Sequence, residues 1–91
     1  MKLVELGEIV ITNLCMQKVK EHTEEVARCV VRHKTGDWGN LCEEDKQLND
    51  SAVVDGGRIL SAYEIGENKV KIWIITEADR SYTTILLPEE Y

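Results

Sequence analysis

The sequence predicts an α+β fold: a small antiparallel sheet, built from a C-terminal three-stranded meander with an N-terminal strand as a further candidate, packed with two to three helices. Three observations predict it. Apolar residues recur at helical spacing between residues 13 and 54, the period switches to alternation from Arg58 onward, and short turn-forming clusters separate the alternating runs. Ninety-one residues with 43% hydrophobic content can close one core but cannot divide it, so residues 1–91 are expected to form a single domain.

The elements follow in order. Leu6 to Thr12, LGEIVIT, is rich in β-branched residues and reads as a strand. Thr12 or Asn13 then caps a short helix to about His22, with Leu14 and Val19 as its inward residues. Thr23 offers a second N-cap for a helix to about Lys34, with Glu24 and Glu25 at the positive end of its dipole. Val26, Cys29, Val30 and His33 fall at i, i+3, i+4 and i+7, which turns His33 toward the core and leaves Glu25, Arg28 and Arg32 opposite. Gly36 stops this helix, and Asp37-Trp38-Gly39-Asn40 makes the turn beyond it.

A third helix is expected from Leu41 to about Val54. Asn40 and Glu43 form a near-capping box, and Leu41, Asp45, Leu48 and Ala52 form the inner stripe. Asp55-Gly56-Gly57 is a turn. Arg58 to Ile65 and Lys69 to Thr76 are strands joined by the Gly66-Glu67-Asn68 hairpin loop. Alternation puts Val70, Ile72 and Ile74 on one face of the second strand and Lys69, Lys71, Trp73 and Ile75 on the other. Glu77 to Ser81 is a polar connection. Tyr82 to Leu87 is the last strand, ended by Pro88, which cannot donate to a ladder.

Composition narrows the function classes. Cys15, Cys29 and Cys42 are odd in number and lack C-x-x-C spacing, so they read as reduced thiols; neither a disulfide framework nor a four-cysteine zinc site is expected. The N-terminal MKLVELGEIVITNL is interrupted by Glu5 and Glu8, so it reads as neither a signal-peptide core nor a membrane span, and a cytoplasmic location is expected. The formal net charge of −6 is uneven, with six acids against one lysine over residues 37–57. That balance disfavours direct nucleic-acid or anionic-membrane binding, which need a basic face, and permits an acidic surface aimed at a basic partner.

RHKTGDWGNLCEEDKQLND, RILSAY and KIWIITEADRSYTTILLPEEY, in that order, resemble a family of small proteins carried on bacterial plasmids, integrative elements and phages, often labelled plasmid-related. The resemblance spans nearly the whole chain and is strongest from His33 to Tyr91. It implies a mobile-DNA context and brings no catalytic roles. Some members carry a restriction-methylation label, but this chain has no glycine-rich cofactor loop after a strand and is too short for a methyltransferase domain.

Two polar constellations stand out. His33, Asp37 and Trp38 at a helix end would combine with Thr76, Glu77, Asp79 and Arg80 at a strand end. There His33 would serve as base or metal ligand, a carboxylate would orient it, and Arg80 would grip an anion. The plainer reading makes His33 a satisfied structural histidine, Asp37 a turn residue, and Glu77 and Asp79 the neutralising partners of Arg80. Asp45 and Asn49, four apart on the third helix, form a second pair, with Arg58 or Arg80 as the partner of a buried carboxylate. Trp38 is expected in the core. Trp73 is a protein-binding anchor if helices cover one sheet face, and core if they cover both.

No named enzyme motif is present, and neither a cofactor nor a metal is expected. The expected function is that of a small acidic accessory protein of a mobile element, acting by protein–protein interaction, with a host defence nuclease complex as the example partner. The alternatives are a small enzyme or ligand-binding protein using His33, Asp37, Glu77, Asp79 and Arg80, and a homodimer assembled through a sheet edge or the Trp73 face.

Overall fold

The computed structural model describes residues 3–91; residues 1 and 2 lie outside the described residues. The elements are β1 (Glu8–Ile11), α1 (Asn13–Val19), α2 (Thr23–Lys34), α3 (Glu43–Asp55), β2 (Ile59–Ile65), β3 (Val70–Thr76) and β4 (Tyr82–Leu86), followed by a 3-10 turn, Pro88–Glu90. This is an α+β fold on a four-stranded sheet ordered β1-β4-β3-β2. No helix among the described residues is long and apolar enough to cross a membrane.

The expected meander is present, with β2/β3 and β3/β4 antiparallel, but β1 joins β4 in parallel, so the sheet is mixed rather than antiparallel. A hairpin forces antiparallel pairing; β1 is instead followed by three helices, a crossover long enough to deliver either direction.

One sheet face is the main core. Tyr63, Ile65, Ile72, Ile74, Ile85 and Leu87 pack against Cys15 and Val19 of α1 and Val26 and Cys29 of α2. The stripe expected on α2 is therefore correct, with Val30 partly buried beside it. On α1 the buried residues are Cys15 and Val19, whereas Leu14 is 45% exposed. Thr12 caps α1, its hydroxyl accepting the Cys15 amide at 3.1 Å and donating to the Glu90 carboxylate at 2.7 Å. On α2 the capping position is His22, one residue before the expected Thr23, because the His22 carbonyl accepts the Val26 amide.

α3 differs more. Its N-cap is Cys42, no side-chain capping bond forms there, and Asn49 is its buried residue, with Ala52 and Val53 half-buried. Asp45 and Leu48, placed on the inner stripe by spacing, face solvent. The cause lies on β2. The Asn49 amide donates to the Leu60 carbonyl at 2.7 Å and accepts the Leu60 amide at 3.2 Å, imitating a neighbouring strand and fixing the rotation of the helix.

The rest of that β2 edge is also covered. The Ala62 amide donates to the Trp38 carbonyl at 3.2 Å and the Asn40 amide to the Ala62 carbonyl at 2.7 Å. Gly39 makes this approach possible: its φ is +75°, and a Cβ there would stand 2.0 Å from the Ala62 oxygen. The opposite sheet face carries no helix from the main core cluster. Trp73 lies on it, as alternation requires, half-buried and edge-on to Tyr91 with ring centroids 5.5 Å apart.

Candidate functional site

α2 delivers His33 to the sheet interior, fully buried, where both ring nitrogens meet hydroxyls: Nδ1 lies 2.6 Å from Ser61 Oγ on β2, and Nε2 lies 2.8 Å from Thr76 Oγ1 on β3. Thr76 Oγ1 is in turn 2.7 Å from Thr83 Oγ1 on β4, and Thr83 donates to the Leu6 carbonyl at 2.7 Å.

Counting protons fixes every donor. A carbonyl can only accept, so the single Thr83 hydroxyl proton goes to Leu6. Thr76 must then donate to Thr83, and its own oxygen accepts from His33 Nε2–H. Nδ1 is left bare and accepts the Ser61 hydroxyl. The relay Ser61→His33→Thr76→Thr83→Leu6 runs in one direction with a neutral imidazole, joining α2, three strands and the N-terminal segment.

Burial, and after it the positive charge of Arg80, lowers the His33 pKa from 6.5 to about 4. The sign of the consequence is definite: the folded pKa lies below the unfolded one, so the stability His33 contributes is whole above pH 6.5 and is lost as pH falls toward 4. The expected loss over that window is about 3 kcal/mol. Urea unfolding from pH 7 to 4 should show it, and a His33→Gln variant should have a shallower slope there. Asp37, held down mainly by its Arg32 bond, and Asp79, held down by its Ser81 bonds, titrate at lower pH.

The seven residues of the first constellation do not meet at one open site: His33 reaches Thr76 and Trp38 in the interior, while Asp37 and Asp79 are engaged at the surface. Asp37 binds Arg32 at 2.7 and 3.2 Å on the surface, and its backbone carbonyl accepts the Tyr63 hydroxyl at 2.7 Å. Asp79 closes its own turn by accepting the amide and hydroxyl of Ser81 at 3.0 and 2.6 Å. Arg80 binds neither the Glu77 nor the Asp79 carboxylate. Its guanidinium donates to the carbonyls of Gly57 at 2.7 Å, Ala52 at 2.9 Å and Glu77 at 3.2 Å, so it holds the C-terminal end of α3.

The other candidates are likewise engaged in the fold. Trp38 is buried, donates its indole N–H to Asp50 at 3.0 Å, and meets the His33 ring edge-on at 5.9 Å. Asp45 is exposed and Asn49 serves β2, so this pair is not a buried carboxylate site. Arg58 lies over the Tyr91 ring, 5.1 Å from its centroid, and donates to the Tyr91 hydroxyl. Thr76 belongs to the relay.

Ser61 and Thr83 are the residues sequence reasoning missed. Their signal was present: each is a hydroxyl at an inward position of an otherwise apolar alternation, Ile59-Ser61-Tyr63-Ile65 and Thr83-Ile85-Leu87. Ser61 beside His33 has the distance of a nucleophile–base pair, yet Ser61 is fully buried, and none of the surface clefts described below is lined by either residue. Among the described residues every buried side-chain nitrogen or oxygen has a partner, and no group of three His, Cys, Asp or Glu is arranged to hold a metal ion. The Cys15 thiol is pushed up to about 11 by burial and then by Glu90 and Glu89.

Several clefts open on the surface of the described residues. One of 340 Å³ lies on the outer sheet face between Asn40, Lys71, Trp73 and Pro88. A second, of 250 Å³, lies between α3 and β2 at Asp45, Leu48, Arg58 and Leu60. A third, of 200 Å³, is almost wholly apolar and is lined by Ile11, Met16, Val19, Val26, Val30 and Ile85. Beside the second cleft, α3 holds Leu48 67% and Val54 82% exposed, with Glu43, Glu44, Asp45 and Asp55 also in solvent. The chain matches no protein-family model, no curated protein and no solved structure.

Proposed function

We propose that this protein is a non-catalytic accessory of a mobile genetic element that binds a protein partner through α3. The observation that carries this reading is the solvent side of α3, where Leu48 and Val54 stand exposed among Glu43, Glu44, Asp45 and Asp55. Apolar side chains within a charged rim are how interface anchors are arranged, and the carboxylates direct them to a basic surface. Nucleases that handle DNA or RNA carry such a basic surface, because it neutralises phosphates. A host defence nuclease complex is thus the partner class that fits, and the protein would act in an anti-CRISPR-like manner by covering its nucleic-acid channel.

The test uses a purified host RNA-guided nuclease complex, with binding and target cleavage measured together. Wild-type protein should bind saturably and inhibit. Glu44→Lys with Asp45→Lys should weaken binding at least about tenfold, with a reduced salt dependence, and Leu48→Ala should weaken it by roughly the same factor. Leu48 is exposed, so Leu48→Ala should keep its stability within about 0.5 kcal/mol of wild type, whereas the two lysines, in the first turn of α3, should cost about 1 kcal/mol through the helix dipole and leave the domain folded. Wild-type protein that neither binds nor inhibits, or variants that act like it, would sink the reading.

A further inference from the structure

The two edges of the sheet are treated differently. The β2 edge is occupied by Asn49 and by the Trp38 to Asn40 segment. The β1 edge is open: the Glu8 and Thr12 amides bond to Ser81 and Ile85 of the β4 side, so by the alternation of a parallel ladder the backbone groups of Ile9 and Ile11 point away from the sheet. Among the described residues no other backbone group meets them. Ile9 is 49% and Val10 39% exposed, on opposite faces of this strand. Such an edge carries little protection against pairing, since Glu8 is the one charge in Glu8–Ile11.

We propose that β1 is a self-association edge, on which a second copy of this chain pairs its own β1 antiparallel across a two-fold axis at Val10. This surface is at the opposite end of the sheet from α3 and does not rest on the function proposed above. In this register Ile9 faces Ile11 of the second copy and Ile11 faces Ile9, so each outward amide and carbonyl gains a partner. Val10 faces Val10 on the outer face, and Glu8 faces Thr12, so no like charges are directly opposed within the paired strands; Glu90, which accepts the Thr12 hydroxyl, stands beside that Glu8, so the dimer should tighten with added salt. Directly opposed residues share a sheet face. The side chain of Ile9 therefore arrives beside Ile11 of the other copy, at the mouth of the apolar cleft lined by Ile11, Met16, Val19, Val26, Val30 and Ile85. Knob and cleft lie on the same strand edge, which is the self-complementarity an isologous dimer needs.

The charge of α3 does not oppose this pairing. Six of the acids lie in residues 37–57, on or near α3 beside the β2 edge, whereas residues 1–36 sum to +1, so two copies joined at β1 keep their acidic ends far apart.

The experiment combines light scattering over a concentration series with a cysteine placed on the axis. Wild-type protein should be dimeric at about 100 µM and dissociate on dilution. Val10→Lys should be a folded monomer, because it sets two lysines face to face. In a Cys42→Ser background, Val10→Cys should form a covalent dimer on mild oxidation, since non-hydrogen-bonded antiparallel partners lie about 4.5 Å apart at Cα. Val54→Cys, exposed on α3, is the collisional control. Wild-type protein that stays monomeric, a folded Val10→Lys that remains dimeric, or Val10→Cys that cross-links no faster than Val54→Cys would each overturn the proposal. If Val10→Lys fails to fold, the cross-linking comparison decides.

Discussion

Replacing His33 by alanine is expected to cost about 4 kcal/mol of folding stability, the largest effect of any single substitution considered for this chain. The imidazole is fully buried, so its removal leaves a cavity against Trp38 and the sheet. It also removes the acceptor at 2.6 Å from the Ser61 hydroxyl and leaves Thr76 without a donor. Small domains hold only about 5–15 kcal/mol in total, so this loss is a large fraction of what is available. Urea titration should show a much lower midpoint with an unchanged slope. Thr76→Val should cost about 1–3 kcal/mol, because the Nε2 proton loses its acceptor while the shape is kept. Combined with His33→Ala, it should add less than its own value, since the two act on one relay. A His33→Ala protein as stable as wild type would show that the relay does not form.

Arg80 should show the second largest effect, with a sign pattern that separates its two roles. It sits at φ +62°, a conformation that glycine adopts freely and other residues resist, and its guanidinium simultaneously binds the carbonyls of Ala52 and Gly57 at the end of α3. Arg80→Ala keeps the strained backbone and loses the bonds, so a cost of about 3 kcal/mol is expected. Arg80→Gly loses the same bonds but relieves the backbone, so it should be about 1 kcal/mol less destabilising than Arg80→Ala. Hydrogen exchange should quicken in both variants at the Gly56 and Gly57 amides, which bond to the Ala52 carbonyl that Arg80 holds. If alanine were better tolerated than glycine, the strain assignment would fail. If neither variant changed exchange at the α3 terminus, the capping role would fail.

These two residues also show why a polar site read from sequence became scaffold. His33, Asp37, Asp79 and Arg80 are chemically suited to a ligand, and chain order places them at element ends. Each, however, finds nearer partners: hydroxyls for His33, Arg32 for Asp37, Ser81 for Asp79 and main-chain carbonyls for Arg80. Side-chain identity limits the bonds that can form, and packing chooses among them.

The sequence by itself determined whatever depends on neighbours along the chain. The Val26, Cys29, His33 stripe follows from helical period, the β2–β3 hairpin and the side of Trp73 follow from alternation, and the ends at Gly36 and Pro88 follow from backbone chemistry. Only the tertiary structure decided the rest. The parallel seating of β1 depends on a ladder linking Glu8–Ile11 to Tyr82–Ile85, and the relay ends on a bond between Thr83 and Leu6, 77 positions apart. The rotation of α3, which buries Asn49 and exposes Leu48, is set by the unpaired edge of β2. Local periodicity fixes which residues share a face, but the pairing of distant segments is chosen by which arrangement buries the apolar face while leaving no buried backbone or hydroxyl group unbonded.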